Sequence, residues 1–219
     1  FGREIRGGMP WAPGVADLPN FGTQPARFFT LVERNCIQAI ASRLIPSDED
    51  GPGSNEADVI TFLDRQMAGF YGRGQNWYMQ GPFEEGASTQ GYQAEYTPAE
   101  LYRAGVEALN QYCSTVYGRV FDQLPAEVQD EILTGLDEED ITFEDVPAKT
   151  FFDLVLENTI EGFFADPIYG GNRDMVAWEY VRFPGARYDY RDYIHHNGAR
   201  VDIPPVGLTG RPAWNSETN

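Results

Sequence analysis

Basic residues are scarce in this chain. Sixteen Lys and Arg face 34 Asp and Glu, giving a net charge of −18 and a pI near 4.3. A nucleic-acid backbone repels such a chain, because binding there needs clustered cations. Anionic lipid surfaces are disfavoured for the same reason. No apolar run approaches the roughly 18–20 residues of a membrane-spanning helix, so any hold on a membrane would come through a partner. No segment repeats at a fixed period, and no stretch shows the strict apolar–polar alternation of a half-buried strand.

Histidine and cysteine occur twice each. His195 and His196 are neighbours, and adjacent side chains of an extended segment point in opposite directions, which makes a poor metal pair. There is no Glu-x-x-His pair for a di-iron bundle. A Gly-x-Ser-x-Gly elbow, a phosphate loop and a Gly-x-Gly-x-x-Gly turn are also missing, which leaves hydrolase and nucleotide-binding readings without support. Without Cys-x-x-Cys-His no c-type haem is attached here. No catalytic set and no metal set emerges. Cys36 and Cys113 both fall on helical stretches. They read either as a disulfide, if the chain is exported, or as two buried thiols that behave as small hydrophobes.

What is present is apolar and aromatic. Over 219 residues, 42% are hydrophobic and 14% aromatic, enough for a packed core. Residues 1–24 are punctuated by Gly and Pro, with Trp11 and Phe21 between them. They read as an extended N-terminal arm pressed against another surface, another chain included. From Pro25 a helical stripe runs through Phe29, Val32, Cys36, Ala39, Ile40 and Leu44 until Pro46 stops it. Ser47 to Gly53 form an acidic loop. Its alternating carboxylates invite a calcium reading, but Pro52 and Val59 stand where the EF-hand pattern needs ligands. A solvated acidic turn is the other reading.

A second helix is expected from about Glu56 to Tyr71, with Ile60, Leu63, Met67 and Phe70 inward. Residues 72–96 read as a long aromatic loop holding Trp77, of the kind used for binding. Thr97-Pro98-Ala99-Glu100 is a capping box with Pro at the first helical position. It opens a third helix with Leu101, Ala104, Ala108, Tyr112, Cys113 and Val116 inward. A fourth helix follows Leu124-Pro125, carried by Val128, Ile132, Leu133 and Leu136. A fifth starts near Pro147 and shows Phe151, Phe152, Leu154, Val155, Ile160 and Phe163. The fold class is therefore all-α, a compact bundle-like helical domain over residues 25–183. Long irregular arms flank it at 1–24 and 184–219.

The stretch from Phe163 to Gly185 organises the rest. Asp166-Pro167 forces the chain out of the helix, and Gly170-Gly171-Asn172 are residue types that tolerate positive φ and allow a tight reversal. Tyr169, Arg173, Asp174 and Trp178 crowd that turn. Asp166, Tyr169 and Arg173 read either as a small acid–base site or as a polar scaffold with Arg173 paired to a carboxylate. Trp178 reads as a core or interface anchor.

Three pieces together resemble one family. They are Ala41-Ser42-Arg43-Leu44-Ile45-Pro46-Ser47-Asp48 with Gly51-Pro52-Gly53, then Phe62-Leu63-Asp64, and then Asp166-Pro167-Ile168-Tyr169-Gly170-Gly171-Asn172-Arg173 with Trp178 and Phe183-Pro184-Gly185. This looks like the gluconate 2-dehydrogenase subunit 3 family, the small or gamma subunit of membrane-bound sugar and sugar-acid dehydrogenases, over roughly Phe28 to Gly185. The resemblance implies a partner: a large flavoprotein of the glucose–methanol–choline type that holds FAD and performs the oxidation. It also implies a multihaem cytochrome c subunit, with haem c, that takes the electrons on to quinone. The small subunit would hold no cofactor. It would carry a twin-arginine (Tat) export signal and escort the folded large subunit to the periplasm, where the complex sits on the inner membrane. A start at Phe1 suits removal of such a signal. On this reading Trp11, Phe21, Trp77, Asp166, Tyr169, Gly170, Gly171, Asn172, Arg173 and Trp178 form partner contacts, and both arms lie along the flavoprotein. The competing reading is a free-standing enzyme or ligand-binding domain using the Asp166–Trp178 surface.

Overall fold

In the computed structural model the described residues are 25–84, 86, 87, 89, 95–186, 191, 194–198 and 203–208. Trp11, Phe21 and the whole N-terminal arm lie outside them. The described chain is all-α. Its helices are α1 (Leu31–Leu44), α2 (Val59–Ala68), α3 (Pro98–Tyr117), α4 (Ala126–Asp137), α5 (Ala148–Phe164) and α6 (Val176–Val181). Short 3₁₀ turns occupy Phe121–Gln123, Pro167–Tyr169 and Arg173–Met175. Among the described residues the only strand-like pairing is an isolated parallel bridge between Gly185 and Val206. No helix among the described residues is long and apolar enough to cross a membrane.

α1 starts at a capping box rather than at Pro25. Thr30 Oγ1 accepts from the Glu33 amide at 3.3 Å, and Glu33 Oε2 accepts from the Thr30 amide at 2.7 Å. The residues before it cannot join the helix because their amides are engaged elsewhere. Asp64, on α2 and almost fully buried, accepts from the backbone N–H groups of Arg27 at 2.6 Å, Phe28 at 3.0 Å and Phe29 at 2.9 Å. A buried carboxylate is tolerated only when hydrogen bonds replace its hydration, and here three backbone donors do so.

α5 is the central helix and packs against α1, α2, α3, α4 and α6. Its Phe151 meets Tyr102 of α3 edge-on at 6.3 Å, and Tyr102 in turn meets Phe29 at 5.9 Å. These rings lie in the middle of the core. A buried polar bridge accompanies them. The Tyr71 hydroxyl donates to Asn158 Oδ1 at 2.9 Å, and Asn158 Nδ2 donates to the Tyr102 hydroxyl at 3.2 Å. Asn158 thus ties α5 to α3 and to the turn after α2.

The expected helices all form, with some faces rotated. On α3 the buried residues are Leu101, Tyr102, Val106, Leu109 and Cys113, whereas Ala104 and Ala108 are half-buried and Val116 is exposed. Two stripes offset by one position fit this helix, and the one carrying the larger side chains wins because it buries more apolar surface. Val32, Phe70 and Ile160, expected inside, are also exposed. α2 ends at Ala68, and Phe70 falls in the turn that follows it. The first part of the expected long loop is ordered: Gly74 N donates to Tyr71 O at 2.8 Å and Trp77 N to Gly74 O at 3.0 Å. Cys36 and Cys113 are both buried and both free thiols.

Candidate functional site

The polypeptide leaves α5 at Ala165, reverses, and returns as α6. Asp166, Asn172 and Trp178 of the reversal each hold main chain. Asp166 Oδ1 accepts from the Ile168 amide at 3.0 Å and caps the 3₁₀ turn. Asn172 is wholly buried. Its Nδ2 donates to the Ala165 carbonyl at 3.0 Å, and its Oδ1 accepts from the Ala177 amide at 2.9 Å. One amide side chain therefore staples the end of α5 to the start of α6. Trp178 is buried, with its indole N–H donating to the Phe164 carbonyl at 2.8 Å and its ring edge-on to Phe183 at 5.2 Å.

The glycines serve two different needs. Gly170 has φ of 107° and Asn172 of 44°, the positive values the sequence suggested. Gly171 has no positive φ. It is required because its Cα lies against the backbone of Gly162 on α5, where a Cβ would overlap the Gly162 carbonyl. The two segments touch backbone to backbone.

Arg173 reaches toward the α1–α2 connection. Its amide donates to the Ala57 carbonyl at 3.0 Å, its guanidinium donates to the Asn55 carbonyl at 3.3 Å, and it lies 3.8 Å from Asp58 Oδ2. Burial pushes the Asp58 carboxyl above its usual range, against the opposing pull of the Thr61 hydroxyl (2.9 Å) and of Arg173. Two carboxylates hold the acidic loop in place. Asp48 Oδ1 accepts from the amides of Asp50 (2.8 Å) and Gly51 (3.1 Å), and Glu56 accepts from the Gly53 amide and the Ser47 hydroxyl, each at 3.0 Å. Among the described residues no cluster of His, Cys, Asp and Glu could hold a metal ion. The acidic loop is thus a hydrogen-bonded turn, and its Gly51 lies under the Tyr180 ring of α6.

Distant pieces of the sequence lie against this reversal and its flanking helices: Thr61 and Arg65 of α2 beside Gly170, Phe62 beside Gly162, and Gly51 beside Tyr180. Compared with protein families, residues 32–185 match Gluconate 2-dehydrogenase subunit 3. The chain belongs to this family. No curated protein and no solved structure matches it. The family's description makes its members subunits of a multi-subunit dehydrogenase, and the region it covers ends at Gly185, where the reversal closes.

The structure brings Asp166, Gly170, Gly171, Asn172, Arg173 and Trp178 together in the reversal. Tyr169, half exposed, stands at its edge. Trp77 sits beyond the end of α2, edge-on to Tyr71 at 5.6 Å. Part of the C-terminal arm closes on the same place. Val206 is buried, Ala186 N donates to Val206 O at 2.6 Å, and the Leu208 amide donates to Asp166 Oδ2 at 2.6 Å. Sequence reasoning missed Asp58 and Asp64. The signal for Asp64 was available: it shares a helix face with Ile60 and Met67, and a carboxylate on an apolar face needs donors.

Proposed function

We propose that this chain is the non-catalytic small subunit of a periplasmic, membrane-associated dehydrogenase of the gluconate 2-dehydrogenase type. It stabilises and escorts a large flavoprotein subunit, which holds FAD and oxidises a sugar or sugar acid. A multihaem cytochrome c subunit carries the electrons away. Family membership over residues 32–185 is the observation that carries this reading. The geometry supports it: the Asp166, Asn172 and Trp178 polar atoms hold backbone, and the Arg173 side chain reaches the Asn55 carbonyl and the Asp58 carboxylate. A reversal built this way presents a rigid surface, which is what an interaction subunit needs.

Co-expression with the large subunit tests the proposal. Flavin absorbance and sugar-dependent dye reduction are expected from the two chains together and not from this chain alone. Arg173→Ala should lower the yield of complex more than the turnover of what assembles. Turnover by the isolated chain, or loss of turnover in a fully assembled Arg173→Ala complex, would overturn it.

A further inference from the structure

Residues 205–208 are held against the reversal in the manner of a bound peptide. Val206 N donates to the Pro184 carbonyl at 3.3 Å, and Ala186 N donates to the Val206 carbonyl at 2.6 Å, the parallel bridge opposite Gly185. Two residues on, the Leu208 amide donates to Asp166 Oδ2 at 2.6 Å. All three bonds engage main chain of the docked segment, so they select an extended backbone rather than particular side chains. Side chains are selected between them. Pro205, Val206 and Gly207 are buried, while Pro204 and Leu208 on either side are exposed. A Cβ at position 207 would come within 3.1 Å of Met175 Cε and 3.3 Å of both Asp166 carboxylate oxygens, so glycine fits best there.

The receiving side is shaped to match. Gly185 has φ of 77°, and a Cβ on it would overlap the Val206 backbone. The Phe183-Pro184-Gly185 turn thus lets a second main chain lie directly on it. Asp166, Met175 and Gly185 all fall inside the stretch matched to the family, residues 32–185, and the segment that they hold lies outside it. The fit is close on one side only. Beside Ile203, Pro204 and Pro205 a cavity of about 330 Å³ stays open, walled by Trp178, Arg182 and Phe183. Packed interiors leave few voids larger than a water molecule, so this segment covers part of a longer groove rather than completing a core.

We propose that Asp166, Met175 and the Pro184–Ala186 main chain form a peptide-recognition seat. Its ligand is an extended segment with a β-branched residue followed by glycine, and the chain's own residues 205–208 fill it as a tethered, exchangeable occupant. Main-chain bonds that supply affinity, with buried positions between them that supply specificity, are the mode by which extended peptides are recognised.

The test is uptake of a labelled peptide of residues 201–210 by the full-length chain, read by fluorescence anisotropy. Val206→Asp in the chain puts a carboxylate where Val206 is buried and should empty the seat. Leu208→Pro removes the amide that Asp166 accepts, at an exposed position, and carries the test if Val206→Asp is unfolded by circular dichroism. Either variant should bind the peptide at least about tenfold more tightly than wild type does, because a tethered segment competes at an effective concentration of about a millimolar. A Gly207→Val peptide should bind at least about tenfold more weakly than the native sequence, as the tight approach to Met175 and Asp166 demands. No uptake by the folded variants, equal uptake by wild type and variants, or indifference to Gly207→Val overturns the seat.

Discussion

Asp166 Oδ2 accepts the Leu208 amide at 2.6 Å across 42 positions of chain, while its other oxygen caps the turn that follows it. One carboxylate thus sets both the exit from α5 and the return of the C-terminal segment. Asp166→Ala should cost about 1 kcal/mol, the usual worth of a cap and a partly exposed hydrogen bond. Its larger effect should be local. Limited proteolysis around residues 203–208 should accelerate well before global unfolding, and equal cutting of variant and wild type would show that the bond holds nothing.

Asp64 performs the matching task for the segment that leads into α1, and it is buried more deeply. Asp64→Ala leaves the amides of residues 27–29 without acceptors. The expected loss is about 3 kcal/mol by urea denaturation, because charged acceptors and orphaned buried donors both count. Amide exchange at Phe28 and Phe29 should rise together. A loss below about 1 kcal/mol would mean that the lead-in to α1 is held by its rings instead.

Gly171→Ala should be among the most damaging single-methyl changes in the chain. The new carbon meets backbone of Gly162, not a side chain that can swing away. Overpacking of this kind costs about 3 kcal/mol. A differential-scanning melt that stays within a degree of wild type would contradict the contact.

Alkaline pH should destabilise the fold. Burial, with smaller contributions from Asp122 and Cys113, pushes the Cys36 thiol up, and burial pushes Cys113 up to about 11. The folded state therefore keeps its protons while the unfolded thiols release theirs near pH 8.5. Stability is fully present below that value and falls as pH rises from it toward 11, by roughly 1.4 kcal/mol per pH unit for each thiol. Burial also pushes the Tyr71 hydroxyl up to about 12, which extends the decline. Both cysteines should resist iodoacetamide at pH 8 in the native chain and react once it is unfolded. Two missing thiol equivalents after denaturation without reductant would indicate a disulfide between them instead.

Much of the fold was legible in the sequence because its signals are local. The capping box at Thr97 and Glu100, the stop at Pro46 and the break at Asp166-Pro167 act within a few residues, and each stands where expected. The burial of Val106 and Leu109 rather than Ala104 and Ala108 was not legible from spacing, since two stripes fit α3 and the bulk of the side chains, with Phe151 of α5 packed at Gly105, decides between them. The reversal was recognised from Gly170-Gly171-Asn172, but not why Gly171 is glycine, because the reason lies nine positions away in Gly162. Asp58 was hidden for the same reason, its partner Arg173 being distant in sequence; the place of Asp64 on an apolar face called for donors, but not for the particular amides before α1 that supply them.

The Gly162–Gly171 contact also bears on how a companion molecule would meet this surface. Where helices touch through side chains, rotamers can readjust and the angle between the helices can drift. Between these two glycines there is nothing to readjust. The turn after α5 is therefore pinned to that helix by main chain at Gly171, so a companion meeting the reversal there would find it already in place.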